Sequence, residues 1–402
     1  MPLSDPNPIS AQTKAPRRIQ ILHVVTSLEP GGLENGVVNL ANQLDPLRFK
    51  TSIACLERVG EFAQRLGRDT ELTCLEKPPG FRLSAIVELA RMIARTRPDV
   101  IHTHNLGPLI YGTLANLASG NKAVVLQGEH AQLRPDEKTR KRRFIRKVCY
   151  RSCGMVHAVS GGLREDLTAN GFANDKIRVI LNGVDCVRFS PPGEEERNSL
   201  RKKHGLLQDG LVIGIVGRFG EFKGHARLIR GFEQLAEKHP RLQLLMVGDH
   251  GPEKDRVMEL VAASPYRERI VWSGFQSEPA DFYRMMDLLV VPSENEGLSN
   301  ALLEAMACGV ACVAHPACGA NEVVVEGVNG MLRPMADAGQ LATVIREAIA
   351  DPLRLRELGI QARRTAEQGF SMTAMLSGYS RLYEEICGEP SAPEKISRDE
   401  PN

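Results

Sequence analysis

Leu288-Leu289-Val290-Val291-Pro292-Ser293-Glu294-Asn295-Glu296-Gly297-Leu298-Ser299-Asn300 runs into Ala301-Leu302-Leu303-Glu304-Ala305-Met306-Ala307-Cys308-Gly309 and then Val310-Ala311-Cys312-Val313-Ala314. Four apolar residues closed by a proline read as a buried strand, Asn300–Cys308 as a helix stopped by Gly309, and Val310–Ala314 as the next strand. A strand, a crossover helix and a strand form a parallel unit, so this stretch alone places the chain in the α/β class.

The same alternation extends in both directions. Upstream in this half it predicts strands at Leu211–Val216, Gln243–Val247 and Ile270–Trp272, with helices near Ala226–Lys238 and Glu253–Ala262. A helical pattern without further strands follows from Asp337 to Cys387. The first half carries its own series, with strands expected at Ile19–Thr26, Thr51–Leu56, Leu72–Leu75, Val100–His102, Ala123–Gln127, Met155–Ala158 and Ile177–Leu181. Between the two series lie Pro191-Pro192-Gly193 and Glu194-Glu195-Glu196, a turn and charge run suited to a linker.

The expected organisation is therefore two doubly wound domains, residues 18–190 and 211–370, joined by a linker at 191–210. Residues 1–17 and 388–402 are polar and proline-containing and are expected to be disordered. The length of 402 residues agrees, being two to three times the roughly 100–200 residues of one domain. Ligands in open α/β sheets bind beyond the carboxyl ends of the strands, which puts the chemistry in a cleft between the domains.

The formal net charge of +2 conceals an asymmetry: residues 1–190 carry +9 and residues 191–402 carry −7. A basic first half favours an anionic partner. Nine cysteines without C-x-x-C spacing indicate reduced cytosolic thiols rather than a metal frame or a disulfide scaffold. No apolar run approaches the roughly 18 residues of a membrane span, and the first 18 residues lack a signal-peptide core.

Several residues stand out within this frame. Glu304 interrupts an apolar helix, and a buried carboxylate there needs a hydroxyl or a cation as partner. Glu296 precedes that helix on a glycine-containing loop, so the two acids can address two ends of one ligand, or Glu304 can pair with a buried arginine while Glu296 is solvated. Gly217-Arg218-Phe219-Gly220-Glu221-Phe222-Lys223-Gly224 follows a strand and opens a helix, without the dinucleotide pattern G-x-G-x-x-G. Arg218 and Lys223 bracketing that helix start suit a diphosphate, or are solvated surface charges.

In the first half, Gly31-Gly32-Leu33-Glu34 lets the backbone approach a phosphate or sugar, or makes a simple turn. His102, His104 and His130 fall at or beyond strand ends, where an imidazole can bond a substrate or transfer a proton, or is a structural or surface residue; no i, i+4 pair on a helix supports metal binding by them. No Asp-x-Asp pair is present to clamp a divalent cation on a nucleotide. Finally, Lys138–Lys147 holds seven basic residues in ten, with Phe144, Ile145, Val148 and Cys149 on one helical face. That helix can lie on an anionic bilayer, each nearby Lys or Arg adding about 1 kcal/mol, or pack on the sheet by its apolar stripe. Nucleic acid is disfavoured, because no stacking aromatics are interleaved and no binding motif accompanies the charges.

Taken together, these residues resemble the retaining nucleotide-sugar glycosyltransferases of family 4, group 1, over roughly Arg18 to Cys387. The resemblance rests on the Gly31–Glu34 loop, Pro98-Asp99-Val100-Ile101-His102-Thr103-His104, Val159-Ser160 and Asn182-Gly183-Val184-Asp185. In the second half it adds Gly217-Arg218 with Lys223-Gly224, Val247-Gly248-Asp249, Asp287 and the pair Glu296/Glu304. It implies the GT-B architecture, two facing Rossmann-like domains, with the helix at residues 371–387 crossing back onto the first.

By that resemblance Arg218 and Lys223 hold the donor diphosphate and Glu304 accepts the ribose hydroxyls. Glu296, with the amides of Gly297 and Leu298, contacts the donor sugar, His130 contacts it near the reaction centre, and Gly31, Gly32 and Gly217 let backbone approach the ligand. It further implies a UDP- or GDP-sugar donor, transfer with retention, no obligatory metal, and a lipid-linked or saccharide acceptor in bacterial surface or exopolysaccharide assembly. A cytoplasmic protein, peripheral on the inner face of the plasma membrane, is the matching location. A nucleotide-sugar epimerase and a non-catalytic nucleotide-sugar-binding protein are the competing readings.

Overall fold

The computed structural model describes residues 17–133, 137–172, 175–317 and 319–388. The segments expected to be disordered therefore lie, apart from Arg17 and Gly388, outside the described residues. The first sheet comprises β1 (Ile19–Val25), β2 (Phe49–Cys55), β3 (Glu71–Cys74), β4 (Val100–His104), β5 (Val124–Glu129), β6 (Met155–Ala158) and β7 (Ile177–Val179). The second comprises β8 (Leu211–Val216), β9 (Leu242–Val247), β10 (Ile270–Trp272), β11 (Leu288–Val291), β12 (Ala311–Ala314) and β13 (Met331–Leu332).

The strand orders are 3-2-1-4-5-6-7 and 10-9-8-11-12-13. Both sheets are parallel throughout, and in both the order in which strands are added reverses beside the first strand, which opens a crevice at the strand ends. Strands buried on both faces are largely apolar, as Leu288–Val291 is throughout and Leu242–Val247 is except at Gln243. Two strands run past the expected limits, β4 to His104 and β5 to Glu129, because polar side chains stay buried there. The two-residue β13 has no periodic signal and was not expected.

The linker expected at residues 191–210 contains a helix, Glu194–Lys203. Its three glutamates sit in the first turn and Arg201, Lys202 and Lys203 in the last, which complements the helix dipole and converts the charge run into structure. Arg201 anchors it: the buried guanidinium donates to the Met285, Gln208 and Gly210 carbonyls and to Asp287 Oδ2 at 2.7 Å. Asp287 also pairs with Arg197 and accepts the Val212 N–H at 2.7 Å, so one carboxylate fixes the linker helix to the edges of β8 and β11.

The chain then returns. Ser371 bridges Val184, and helix Met372–Cys387 lies on the first sheet, where Met375, Tyr379, Leu382 and Tyr383 complete a core with Ile19, Ile21 and Leu126. Among the described residues no helix is long and apolar enough to cross a membrane, and the eight described cysteines are free thiols.

Removing the Asp287 carboxylate should strand a guanidinium whose side chain is 3% exposed. Asp287→Ala is expected to cost about 3–5 kcal/mol, read as a lower midpoint for the second domain in urea unfolding. An unchanged midpoint would refute the anchoring role.

Candidate active site

The ends of the two sheets face one another across a cleft of about 420 Å³. From the second domain, Gly217 and Arg218 follow β8, Lys223 ends a short turn, and Glu296 and Leu298 follow β11. Gly217 has φ of +147°, a conformation suited to glycine, and the turn it makes aims Arg218 into the cleft. Lys223 Nζ and the Glu296 carboxylate form an ion pair, so these two groups are neighbours.

Glu304 reaches the same cleft from one turn inside helix Asn300–Ala307. Its partner is the Tyr283 hydroxyl, which donates to Oε2 at 2.7 Å, and not a buried arginine. Burial pushes Glu304 up to about 7, while the Tyr283 hydrogen bond and the more distant Arg188 and Arg65 oppose the rise.

The first domain supplies Gly31, Gly32 and His130. Gly32 stands against the second domain, its carbonyl accepting from Asn300 Nδ2 at 3.1 Å. His130 directly follows β5, and burial pulls it down to about 4, so it is neutral at physiological pH. Of the residues given a ligand role by the family resemblance, Gly297 alone does not line the cleft. A Cβ there would run into the His130 carbonyl, so the glycine lets the loop beside Glu296 lie on the first domain's backbone.

His102 and His104 are placed otherwise than at the cleft. Both are buried in β4 and face His23 of β1. Nitrogens of His23, His102 and His104 come within 4.8 Å of one another, the one grouping of potential metal ligands among the described residues. His104 spends both ring nitrogens on other imidazoles, His23 at 3.1 Å and His130 at 3.0 Å, and His102 Nδ1 meets the Tyr383 hydroxyl at 2.8 Å.

The basic helix is Arg140–Ser152. Its buried residues are Arg146 and Tyr150, not the expected apolar stripe, because Arg146 pairs with Glu129 at the end of β5. Phe144 and Val148 point outward, 69% and 45% exposed.

Residues 196–365 match the family model of the glycosyl transferases group 1, and residues 30–188 match that of glycosyltransferase family 4. The chain belongs to the group 1 glycosyltransferases. It is 26% identical over 314 residues to the N-acetyl-alpha-D-glucosaminyl L-malate synthase of Bacillus anthracis, covering 77% of this chain and 80% of that protein. It is 23% identical over 365 residues to the putative glycosyltransferase EpsF of Bacillus subtilis, covering 83% and 85%. The structure of Anabaena HepE in complex with UDP-glucose superposes with a TM-score of 0.80 at 22% identity, over 92% of this chain and 100% of that one. The architecture is GT-B.

Two further residues of this glycosyltransferase's cleft, Tyr283 and the Glu34 that closes the Gly31–Glu34 motif, receive no role from the sequence. Tyr283 sits on a helix whose buried face is otherwise apolar, so its hydroxyl gave no signal. Glu34, in the first turn of helix Gly32–Gln43, reads as an ordinary dipole-complementing acid. It lines the cleft, and burial pushes it up to about 7 against the pull of its own backbone N–H and Arg218.

The raised carboxyls have a signed consequence. Glu34 and Glu304 hold protons more tightly in the folded protein than in the unfolded chain, where such groups titrate near 4.5. Their contribution to stability therefore falls as pH rises from about 4.5 to about 7 and is level above that. Glu304→Gln should gain Tm relative to the native protein across this window and no further beyond it. A difference in Tm independent of pH would contradict the buried titration.

Proposed function

We propose that this glycosyltransferase moves a sugar from a UDP- or GDP-sugar to a lipid-linked or saccharide acceptor, with retention and without an obligatory metal, in bacterial surface or exopolysaccharide assembly. One observation carries the reading: Arg218, Lys223, Glu296 and Glu304 converge from the second domain on the cleft that Gly31, Gly32 and His130 line from the first. The solved relative bound to UDP-glucose supports a nucleotide-sugar donor. Similarity to the capsular polysaccharide biosynthesis glycosyltransferase CapM of Staphylococcus aureus, 27% identical over 240 residues that cover 58% of this chain and 62% of that protein, supports the acceptor class.

The chemistry follows from charge. As the bond from the sugar's anomeric carbon to the phosphate breaks, negative charge grows on the diphosphate, and Arg218 and Lys223 stand where it develops. Lys223 is held by Glu296, so the cation and the acid that would orient the sugar are positioned as one unit. Glu304, when ionised, accepts from ribose hydroxyls. The acceptor hydroxyl attacks on the face from which the nucleotide leaves and gives its proton to the departing diphosphate oxygen, which preserves the anomeric configuration.

Glu296→Ala should reduce transfer about 100-fold or more while nucleotide binding survives, because Arg218 and Lys223 remain. Arg218→Ala should weaken nucleotide binding itself. Calorimetric titration with UDP and GDP, with and without Mg²⁺, beside product analysis of the reaction separates these effects. Equal loss of nucleotide binding in Glu296→Ala would move that residue from the sugar to the nucleotide. An isomerised donor sugar without transfer would identify an epimerase.

The acceptor side adds a membrane surface to the proposal. Phe144 and Val148 are one helical turn apart and exposed among Arg140, Lys141, Arg142, Lys147 and Arg151, the arrangement of an interfacial helix. Vesicles containing phosphatidylglycerol should sediment the native protein, and Phe144→Glu with Val148→Glu should abolish this without lowering activity on a soluble acceptor. Equal sedimentation of the variant would remove the membrane from the reading.

A further inference from the structure

The His130 ring is the end of a chain. His130 Nε2 lies 3.0 Å from His104 Nδ1, and His104 Nε2 lies 3.1 Å from His23 Nδ1. His23 Nε2 is buried and has no hydrogen-bond partner. The sheet builds this alignment: His104 stands beside Gly128 in register, and Gly128 beside His157. A Cβ on Gly128 would lie 2.7 Å from His157 Nε2, 2.9 Å from His130 Nε2 and 3.1 Å from His104 Nδ1, so the rings converge on the space that a missing side chain leaves.

Counting protons decides the direction of the chain. Burial keeps all three imidazoles neutral, pulling His23 to about 3, His130 to about 4 and His104 well below the usual range. Three neutral rings carry one N–H each, and the two ring-to-ring hydrogen bonds use two of them. The third N–H must sit at one end, on His23 Nε2 or on His130 Nδ1. On His23 it would be a buried donor with nothing to accept it, a costly and rare arrangement. At His130 it belongs to a residue that lines the cleft.

We propose that His23 and His104 are positioning residues that fix His130 as the Nδ1–H tautomer, so that its ring offers the cleft a hydrogen-bond donor and not an acceptor. His23 Nδ1 donates to His104 Nε2, and His104 Nδ1 donates to His130 Nε2. The open position then suits an oxygen lone pair of a sugar hydroxyl or a phosphoryl group, and His130 Nδ1 does not take a proton from the acceptor. What meets that donor rests on the transferase reading above; the tautomer itself does not.

Histidine-selective ¹⁵N labelling of the full chain, with long-range proton–nitrogen correlation near neutral pH, reads the tautomer directly. The His130 signals are assigned by their loss in His130→Gln. The native protein should show His130 protonated on Nδ1. Protonation on Nε2, or a mixture, overturns the proposal whether or not transfer is ever detected. His23→Leu should convert His130 to a mixture and lower kcat about tenfold with KM for the donor nearly unchanged. His23→Asn, whose amide nitrogen replaces the Nδ1–H, should restore both. An equal loss in the two variants would assign His23 to packing alone, and if neither folds, the native spectrum still decides.

Discussion

The cleft depends on a close approach of backbone to backbone. The loop carrying Glu296 lies on the His130 carbonyl because Gly297 has no side chain, and Gly319 in turn lies against the Gly297 carbonyl. A Cβ at either position would force these chains apart, and the groups nominated for one ligand would move apart with them. Neighbouring contacts hold the same seam: Asn182 Nδ2 donates to the Leu298 carbonyl at 3.0 Å, and the Gly161 and Gly162 N–H groups donate to Glu322 at 2.9 and 2.7 Å. The last pair puts a carboxylate from the second domain at the N-terminus of helix Gly161–Ala169, where the helix dipole favours it.

This seam is reinforced from the far side. Helix Met372–Cys387 returns to the first sheet and places Tyr383 on His102 and Tyr379 on His157. This returning helix is thus part of the wall around the histidine cluster behind the cleft. Glu129 plays the matching part beneath the basic helix: one residue before His130, it holds the buried Arg146 and so fixes that helix to the end of β5. The first sheet, the returning helix and the basic helix are linked through a few residues of adjacent strands.

The charges in the cleft are arranged in opposing pairs rather than as one field. Lys223 neutralises Glu296, whereas Arg218 makes no ion pair among the described residues and lies close enough to Glu34 to oppose its raised affinity for a proton. Glu304 has only a tyrosine hydroxyl as direct partner. Among the described residues Arg65 also lines the cleft without an ion pair, and a site with unpaired cations and two half-satisfied carboxyls is suited to a ligand that is anionic at one end and rich in hydroxyls elsewhere. That description fits a nucleotide sugar without reference to any relative.

Much of this was legible in the sequence, because it is written in local chemistry. Apolar runs of strand length separated by amphipathic helices require a parallel sheet, and Glu304 in an apolar helix announces a partner before the partner is known. The residues flanking the strand ends, Arg218, Lys223, Glu296 and His130, were visible because turns after strands carry glycines and charges in recognisable order. The tertiary structure alone decided which hydroxyl serves Glu304, that Glu194–Lys203 is a helix packed by Arg201 and Asp287, and that Arg146 turns inward while Phe144 turns out. It also decided that His23, distant in sequence, stands behind His104 and His130. Those outcomes depend on what a side chain meets across the fold, and burial, register and the missing side chain of one glycine are not properties of any short stretch.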